Sequence, residues 1–435
     1  MTGIEIGIAS LVIMVLLIYL GMHVAIALAS VSFVGIWIFK GNINIAVSLL
    51  TIAAKDTVAS YSFGVVPLFV LMGLFVTQSN LGRDIYIVAN AIFRKLNGGL
   101  GIATVAANAI FAAITGISIA SAAIFTRIAV PEMIRYGHTP RFAVGVVAGS
   151  SVLGMLIPPS VLLIVYALIA EVSVAHMFTA GILPGIVLAI LFCILILFMA
   201  KFMPKFTGTA SQPQGEEAER LGFFKGVKLI SPTVFLIGVV LGGIYGGVFT
   251  PTEAGAAGAF CAMLIAFAKR RLSISSFWNI LTDTGRITAS ILFLIIAASM
   301  YSRMLGVSGI PSQLSAFITS LDAGFTLILI VYILLMVFLG TILDSTSIIL
   351  VLVPLFLPIF ATYDVDLIWL GIITVLGTEI GLLTPPLGIA CFVIKGSLND
   401  PNISLSDIFI GAFPFALTMV VGLLFVIFMP WLTLN

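Results

Sequence analysis

Long apolar runs, interrupted at intervals by glycine, proline and hydroxyl residues, make up most of the chain. Residues 4–39 are too long for one membrane crossing and are cut at Gly21, Met22 and His23, so they predict two helices joined by a turn. Lys40 to Lys55 reads as a short amphipathic connector and 58–78 as a third span. Residues 82–96, GRDIYIVANAIFRKL, carry charges at helical spacing and predict a helix lying on the membrane surface. From Gly98 to Pro131 there is no clean span. One apolar arm leads to Thr115, Gly116, Ile117 and Ser118, and another leads back. Broken backbone at that depth is tolerated only inside protein or beside a water-filled cavity, so the pattern predicts a re-entrant hairpin. The next span, 140–169, is cut by Gly154 and by Pro158 and Pro159, and 177–202 closes the first half. A polar linker, 203–228, contains the run GTASQPQGEEAER. The second half then predicts spans at 229–248 and 251–268, a surface helix at 273–284, a span at 287–305, a hairpin at 323–361, a broken span at 367–395 and a last span at 406–430.

The two halves share a register. Adding 227 carries Ser118 onto Ser345, Pro131 onto Pro358, Gly154 onto Gly381, and Pro158 and Pro159 onto Pro385 and Pro386. Past the proline pairs the shift grows to about 230, which places Phe178 near Phe409 and Pro184 near Pro414. The expected fold is an all-α polytopic membrane protein of two repeats, each with five crossings and one re-entrant hairpin. An odd number of crossings per repeat inverts the second relative to the first. The expected boundaries are 1–202 for the first repeat, 203–228 for a cytoplasmic linker and 229–435 for the second repeat.

Composition fits this reading: 61% of the 435 residues are hydrophobic and 8% charged, too few charges to cover a soluble core of that size. The net charge of +2 points to no nucleic-acid partner. With the N-terminus outside, fifteen of the nineteen Lys and Arg fall in cytoplasmic segments and two, Lys40 and Lys55, outside, which is the positive-inside pattern. Glu5 and the lack of a basic residue before the first apolar run read as a retained span rather than a cleaved signal peptide. Cys193, Cys261 and Cys391 lie in separate apolar segments without paired spacing, so neither a disulfide framework nor a metal site is expected.

No catalytic constellation emerges: the chain has no H-E-x-x-H, no G-x-S-x-G elbow and no phosphate-binding loop, so neither an enzyme nor an ATP-driven pump is expected. The hairpin tips carry the candidate chemistry. A helix broken at mid-depth exposes carbonyls, which with hydroxyls suit a hard cation such as sodium, and amides, which suit an anion. Gly116, Ser118 and Ser121 at the first tip, and Gly340, Thr341, Asp344 and Ser345 at the second, are the candidate sodium ligands. Pro158, Thr384 and Pro385 join them, because proline removes donors and frees carbonyls of the preceding turn. Small hydroxyl residues also serve close helix packing, and both uses stand open for each serine; recurrence at matching repeat positions favours the functional one for Ser118 and Ser345. Asp344 and Glu379 are the most deeply placed acids. Asp344 is expected to coordinate a cation and Glu379 to hold the hairpin in shape. Ser150, Ser151, Thr346, Ser347 and Arg303 are the candidate substrate contacts. Arg303 stands 17 residues beyond Arg286, about 26 Å of helical rise, which also suits a snorkelling interface anchor.

At these residues the chain resembles the large membrane subunit of tripartite ATP-independent periplasmic (TRAP) transporters. The matching stretches are GMHVAIALA, VPLFVLMG, TGISIASAAIF with VPEM, GSSVLGMLIPPS, HMFTAGILPG, GGVFTPTEAGA and TEIGLLTPPLG, spread over nearly the whole length. Departures fall at His23, Arg127, Thr378 and Ala390. The resemblance implies a sodium-coupled importer of the elevator type in a bacterial inner membrane, with sodium ions for coupling and no other cofactor. It further implies a small four-span membrane subunit, and a periplasmic substrate-binding protein that delivers a carboxylate, sulfonate or related organic anion. By position the scaffold would be 1–78 and 229–305, and the transport part 97–202 and 323–430. A stand-alone sodium-coupled dicarboxylate carrier or an ion antiporter with the same repeat plan is the alternative.

Overall fold

The computed structural model describes residues 3–93, 95–208, 222–309, 313, 324–386, 388–398 and 400–433, and every regular element among them is helical. Among the described residues six helices are long and apolar enough to cross a membrane, and the bent pair Pro140–Leu156 and Val161–Ile169, at 43°, makes a seventh if it is one span. Gly3–Tyr19 and Val24–Lys40 flank the turn expected at 21–23. The expected connector is a full helix, Ile43–Ala59, begun by Asn42, whose side chain accepts from the Asn44 amide. Ser60, extended at φ −76 and ψ 122, separates it from Val65–Gln78.

Leu81–Phe93 buries Leu81, Gly82, Ile85, Tyr86 and Ala89, a stripe at helical period. That stripe lies on the first hairpin: a Cβ at Gly82 would meet the Phe111 ring at 3.3 Å. On its other side Asp84 pairs with Lys269, in the turn after Pro251–Ala268.

Three expected boundaries are corrected. The surface helix at 273–284 and the span at 287–305 are one helix, Ile274–Ser308. Asp283 and Arg286 lie inside this helix and do not end it, since the two groups pair at 3.6 Å along one helix face and no proline intervenes. The span expected at 229–248 begins at Phe223 and passes through a π turn at Gly238–Gly242 before ending at Tyr245. The linker is therefore shorter than 203–228 at its far end. Its near end folds back, with His138 Nδ1 2.9 Å from the Thr207 carbonyl and the Thr139 amide donating to the same oxygen at 3.2 Å. Residues 209–221 of the expected linker lie outside the described residues.

Two sets of helices pack within themselves. Glycines of Pro251–Ala268 face Val65–Gln78, where a Cβ at Gly255 would meet Leu68 at 3.0 Å, and Gly35 faces Met304 across Val24–Lys40 and Ile274–Ser308. In the other set, Pro140–Ser151 presses on Leu405–Phe428. A Cβ at Gly145 would fall 2.8 Å from the Gly411 Cα, and Arg141 Nε donates to Asp407 at 2.6 Å on the same interface. Tyr166 Oη donates to the Leu367 carbonyl at 2.7 Å, joining the end of the first broken span to the start of Leu367–Leu382, which with Ile389–Ser397 occupies the range expected for the second. Small residues let these backbones approach closely where no water drives association.

Candidate functional site

The first hairpin consists of Gly99–Thr115 and Ser118–Arg135, reversed at Gly116 and Ile117. Gly116 takes φ +64, open to glycine and strained for residues with a Cβ. Its carbonyl accepts from the Val161 amide at 3.2 Å. The proline pair lies directly beneath, since a Cβ on Gly116 would stand 3.1 Å from the Pro159 carbonyl carbon and nearer still to its oxygen. Gly154 closes on the tip from the other side, where a Cβ would meet the Ser118 nitrogen at 3.1 Å. Pro158 and Pro159 lack the N–H groups that would bond the carbonyls of Gly154 and Met155 in a continuous helix. The Ser160 hydroxyl takes up the Met155 carbonyl and caps Val161–Ile169.

Ser118 starts the returning arm at 4% exposure, and its hydroxyl has no hydrogen-bond partner among the described residues. Ser121, one turn on, donates to Asn108 Oδ1. Asn108 Nδ2 donates to Ser150 Oγ at 2.6 Å, and Ser150 donates to the Val146 carbonyl at 2.6 Å. This buried chain ties both arms of the hairpin to the broken span. Asn108 was not singled out in the sequence, although a lone carboxamide in an apolar arm is the signal that finds it. Ser150 and Ser151 are both fully enclosed, and the Ser151 hydroxyl donates to the Ala148 carbonyl at 2.8 Å. In this arrangement they face protein and not a surface open to a solute.

The second hairpin consists of Phe325–Gly340 and Ser345–Ala361. Gly340 meets the second broken span backbone to backbone, and a Cβ there would lie 2.8 Å from the Gly381 Cα. Thr341 donates to the Phe338 carbonyl at 2.8 Å. Asp344 caps the returning arm: one carboxylate oxygen accepts from the Ser347 amide at 3.1 Å, the other from the Ser347 hydroxyl. Ser345 Oγ donates to Glu379 Oε1 at 2.8 Å, and Glu379 is 1% exposed. Thr346 stays partly exposed. Thr384 donates to the Ile380 carbonyl at 2.8 Å and is also partly exposed. The tips differ in cover, for Pro158 and Pro159 are buried whereas Pro385 and Pro386 are exposed.

Arg303 stands apart from this group: its Nη2 donates to Asp56 at 2.7 Å, so Ile274–Ser308 is tied to Ile43–Ala59. Nothing local in the sequence marks a partner 247 residues away. Among the described residues no three His, Cys, Asp or Glu side chains gather as a metal cluster. The donors at the tips are hydroxyls, carbonyls and single carboxylates, a set that suits a hard cation and not a transition metal.

Comparison with known proteins places these features. Residues 11–432 match the family described as "Tripartite ATP-independent periplasmic transporter, DctM component". The chain is 32% identical over 390 residues to the C4-dicarboxylate TRAP transporter large permease protein DctM of Pseudomonas aeruginosa, covering 89% of each. It is 29% identical to the ectoine TRAP transporter large permease protein TeaC of Halomonas elongata, covering 97% of this chain and 96% of that one. Among solved structures, the Alcanivorax borkumensis YdaH transporter superposes with a TM-score of 0.63 at 14% identity, covering 89% of each chain, which shows a shared fold.

Proposed function

The chain belongs to the DctM-component family of tripartite ATP-independent periplasmic transporters, and on that premise we propose that it is the transport subunit of a sodium-coupled, binding-protein-dependent importer of small organic anions. The observation that carries the reading is the paired architecture of the tips. The shift of 227 takes the helix start at Val24 to Pro251, Ser118 to Ser345 and Pro140 to Leu367, and each hairpin tip packs against a glycine of its own broken span, Gly154 or Gly381. Paired breaks in corresponding positions of two halves mark the solute and ion sites of inverted-repeat carriers.

Ser118 is 4% exposed and its Oγ makes no hydrogen bond to a described residue, so it is an oxygen available to a hard cation and the residues fit sodium. A bound sodium ion supplies charge that neutralises the cost of bringing an anion to the tips. Ser118, Ser345 and the carbonyls beside the proline pairs would hold it. Thr346 and the helix N-terminus at Ser118 would face the anion.

Two packing sets support an elevator. Residues 1–78 and 229–305 form a scaffold closed by the Gly255 and Gly35 contacts and by Arg303 with Asp56. Residues 97–202 and 323–430 form a transport body locked by Gly145 with Gly411 and Tyr166 with Leu367. In a bacterial inner membrane the partners are the small four-span subunit and a periplasmic binding protein. Relatives named for C4-dicarboxylate and for ectoine leave the particular anion open. The test is uptake of a panel of organic anions into proteoliposomes holding the chain and both partners. Uptake that requires an inward sodium gradient and no ATP is expected, and full uptake with choline in place of sodium overturns the proposal.

A further inference from the structure

Glu379 raises a question the transport reading leaves open, because an acid enclosed at membrane depth is expensive and this one is spent on a single serine. Its Oε1 accepts from Ser345 Oγ at 2.8 Å, with Ser345 5% and Glu379 1% exposed. A hydroxyl has one proton and two lone pairs. Only the lone pairs can serve a cation, and a proton pointing at the cation would oppose it. We propose that Glu379 is a positioning residue that draws the Ser345 proton away from the tip and so turns the Ser345 lone pairs towards a bound sodium ion. This rests on the reading of Ser345 as a cation ligand.

The neighbouring groups leave Glu379 in sole charge of that proton. Asp344, next in sequence, is committed through both carboxylate oxygens to Ser347, and Thr341 and Thr384 donate to carbonyls of their own helices. The first half makes the contrast. Subtracting 227 from 379 gives Val152, so Ser118 has no such acceptor, and its hydroxyl has no partner among the described residues. The second tip therefore has an oriented hydroxyl and the first a free one, a difference that the register of the repeats does not reveal.

The experiment uses the purified full chain in detergent and follows the rise in melting temperature as sodium replaces choline. Glu379→Gln keeps the reach and the acceptor oxygen but loses the charge; Glu379→Asp keeps the charge but falls one methylene short of Ser345. Positioning predicts a half-saturating sodium concentration within about twofold of the original for the Gln variant, and on the order of tenfold higher for the Asp variant, the usual cost of losing a partner behind a ligand. Should the Asp variant fail to fold, Glu379→Met, of similar length and without a strong acceptor, is expected to show the same rise. An Asp or Met variant that binds sodium as well as the Gln variant overturns the inference. Ser345→Ala separates the two levels. If it leaves the sodium response unchanged, the reading of Ser345 as a ligand fails. If it raises the midpoint while Glu379→Asp does not, only the positioning role fails.

Discussion

Gly116→Ala should be far more damaging than an alanine at a glycine of the same backbone conformation. Gly41 supplies the comparison: it takes φ +63 with nothing within 4 Å of a Cβ, whereas Gly116 takes φ +64 with Pro159 and Ser160 inside 3.4 Å. A Cβ in the left-handed region costs about 1–2 kcal/mol, and both variants bear that. At Gly116 the methyl must also displace the Pro159 carbonyl, and overpacking of this kind costs about 1–3 kcal/mol. Moving the tip away lengthens the bond from the Val161 amide to the Gly116 carbonyl, worth about 1 kcal/mol. The difference between the two variants is thus about 2–4 kcal/mol, set by the fit of tip to proline loop. Denaturation midpoints of the purified chain in detergent measure it. Gly41→Ala is expected to lower the midpoint slightly and Gly116→Ala strongly, with the sodium-dependent stabilisation also lost in the latter. Equal midpoints would refute the claim that the tip is pressed onto the Pro158–Pro159 loop.

Ser118→Ala and Ser345→Ala should each raise the half-saturating sodium concentration for uptake while leaving the protein folded, and no change in either would return the pair to a packing role. Breaking the Arg303–Asp56 pair should change stability by about 0.2–1 kcal/mol in a double-mutant cycle, since both side chains are substantially exposed. Arg303→Lys should transport nearly normally if that pair is the whole role of the residue, and a large fall in uptake with unchanged sodium dependence would restore substrate contact. Reconstituted without a periplasmic binding protein, the chain and its small partner should show little uptake at low substrate; robust uptake would favour a stand-alone carrier.

Legibility in the sequence followed the range of the interactions. Hairpins, broken spans and the turn at 21–23 were visible because glycine, proline and serine break a helix where they stand, and the breaks fall within a residue or two of expectation. The separation of 273–284 from 287–305 does not hold, because Asp283 and Arg286 stand at helical spacing and continue one helix through the polar interval. At the site, the tips were legible and their wiring was not. Ser121 and Ser150 were both candidates, yet nothing near either shows that Asn108 stands between them. Arg303 carried the stronger signal of the two members of its ion pair, and Asp56, in what reads as a connector, carried almost none.

The two tips differ in backbone, Gly116 being left-handed and Thr341 right-handed, and they differ in what covers them. At the first tip, Gly116 bonds to Val161, Gly154 closes on Ser118, and Pro158 and Pro159 are buried under both. At the second, Gly340 meets Gly381, Tyr332 Oη stands 2.9 Å from Thr374 Oγ1, Ser345 donates to Glu379, and Pro385 and Pro386 are exposed. Beside it, Met14, Val15 and Ile18 of the first helix face Leu339, Ile342 and Leu343 across an apolar cleft. The Asn108 chain holds the first hairpin to its span, and the Tyr332–Thr374 hydrogen bond holds the second. The second hairpin thus has two polar ties to its span, Tyr332 with Thr374 about two turns back along the arm and Ser345 with Glu379 at the tip, and only the tie at the tip stands where the proposed cation would bind.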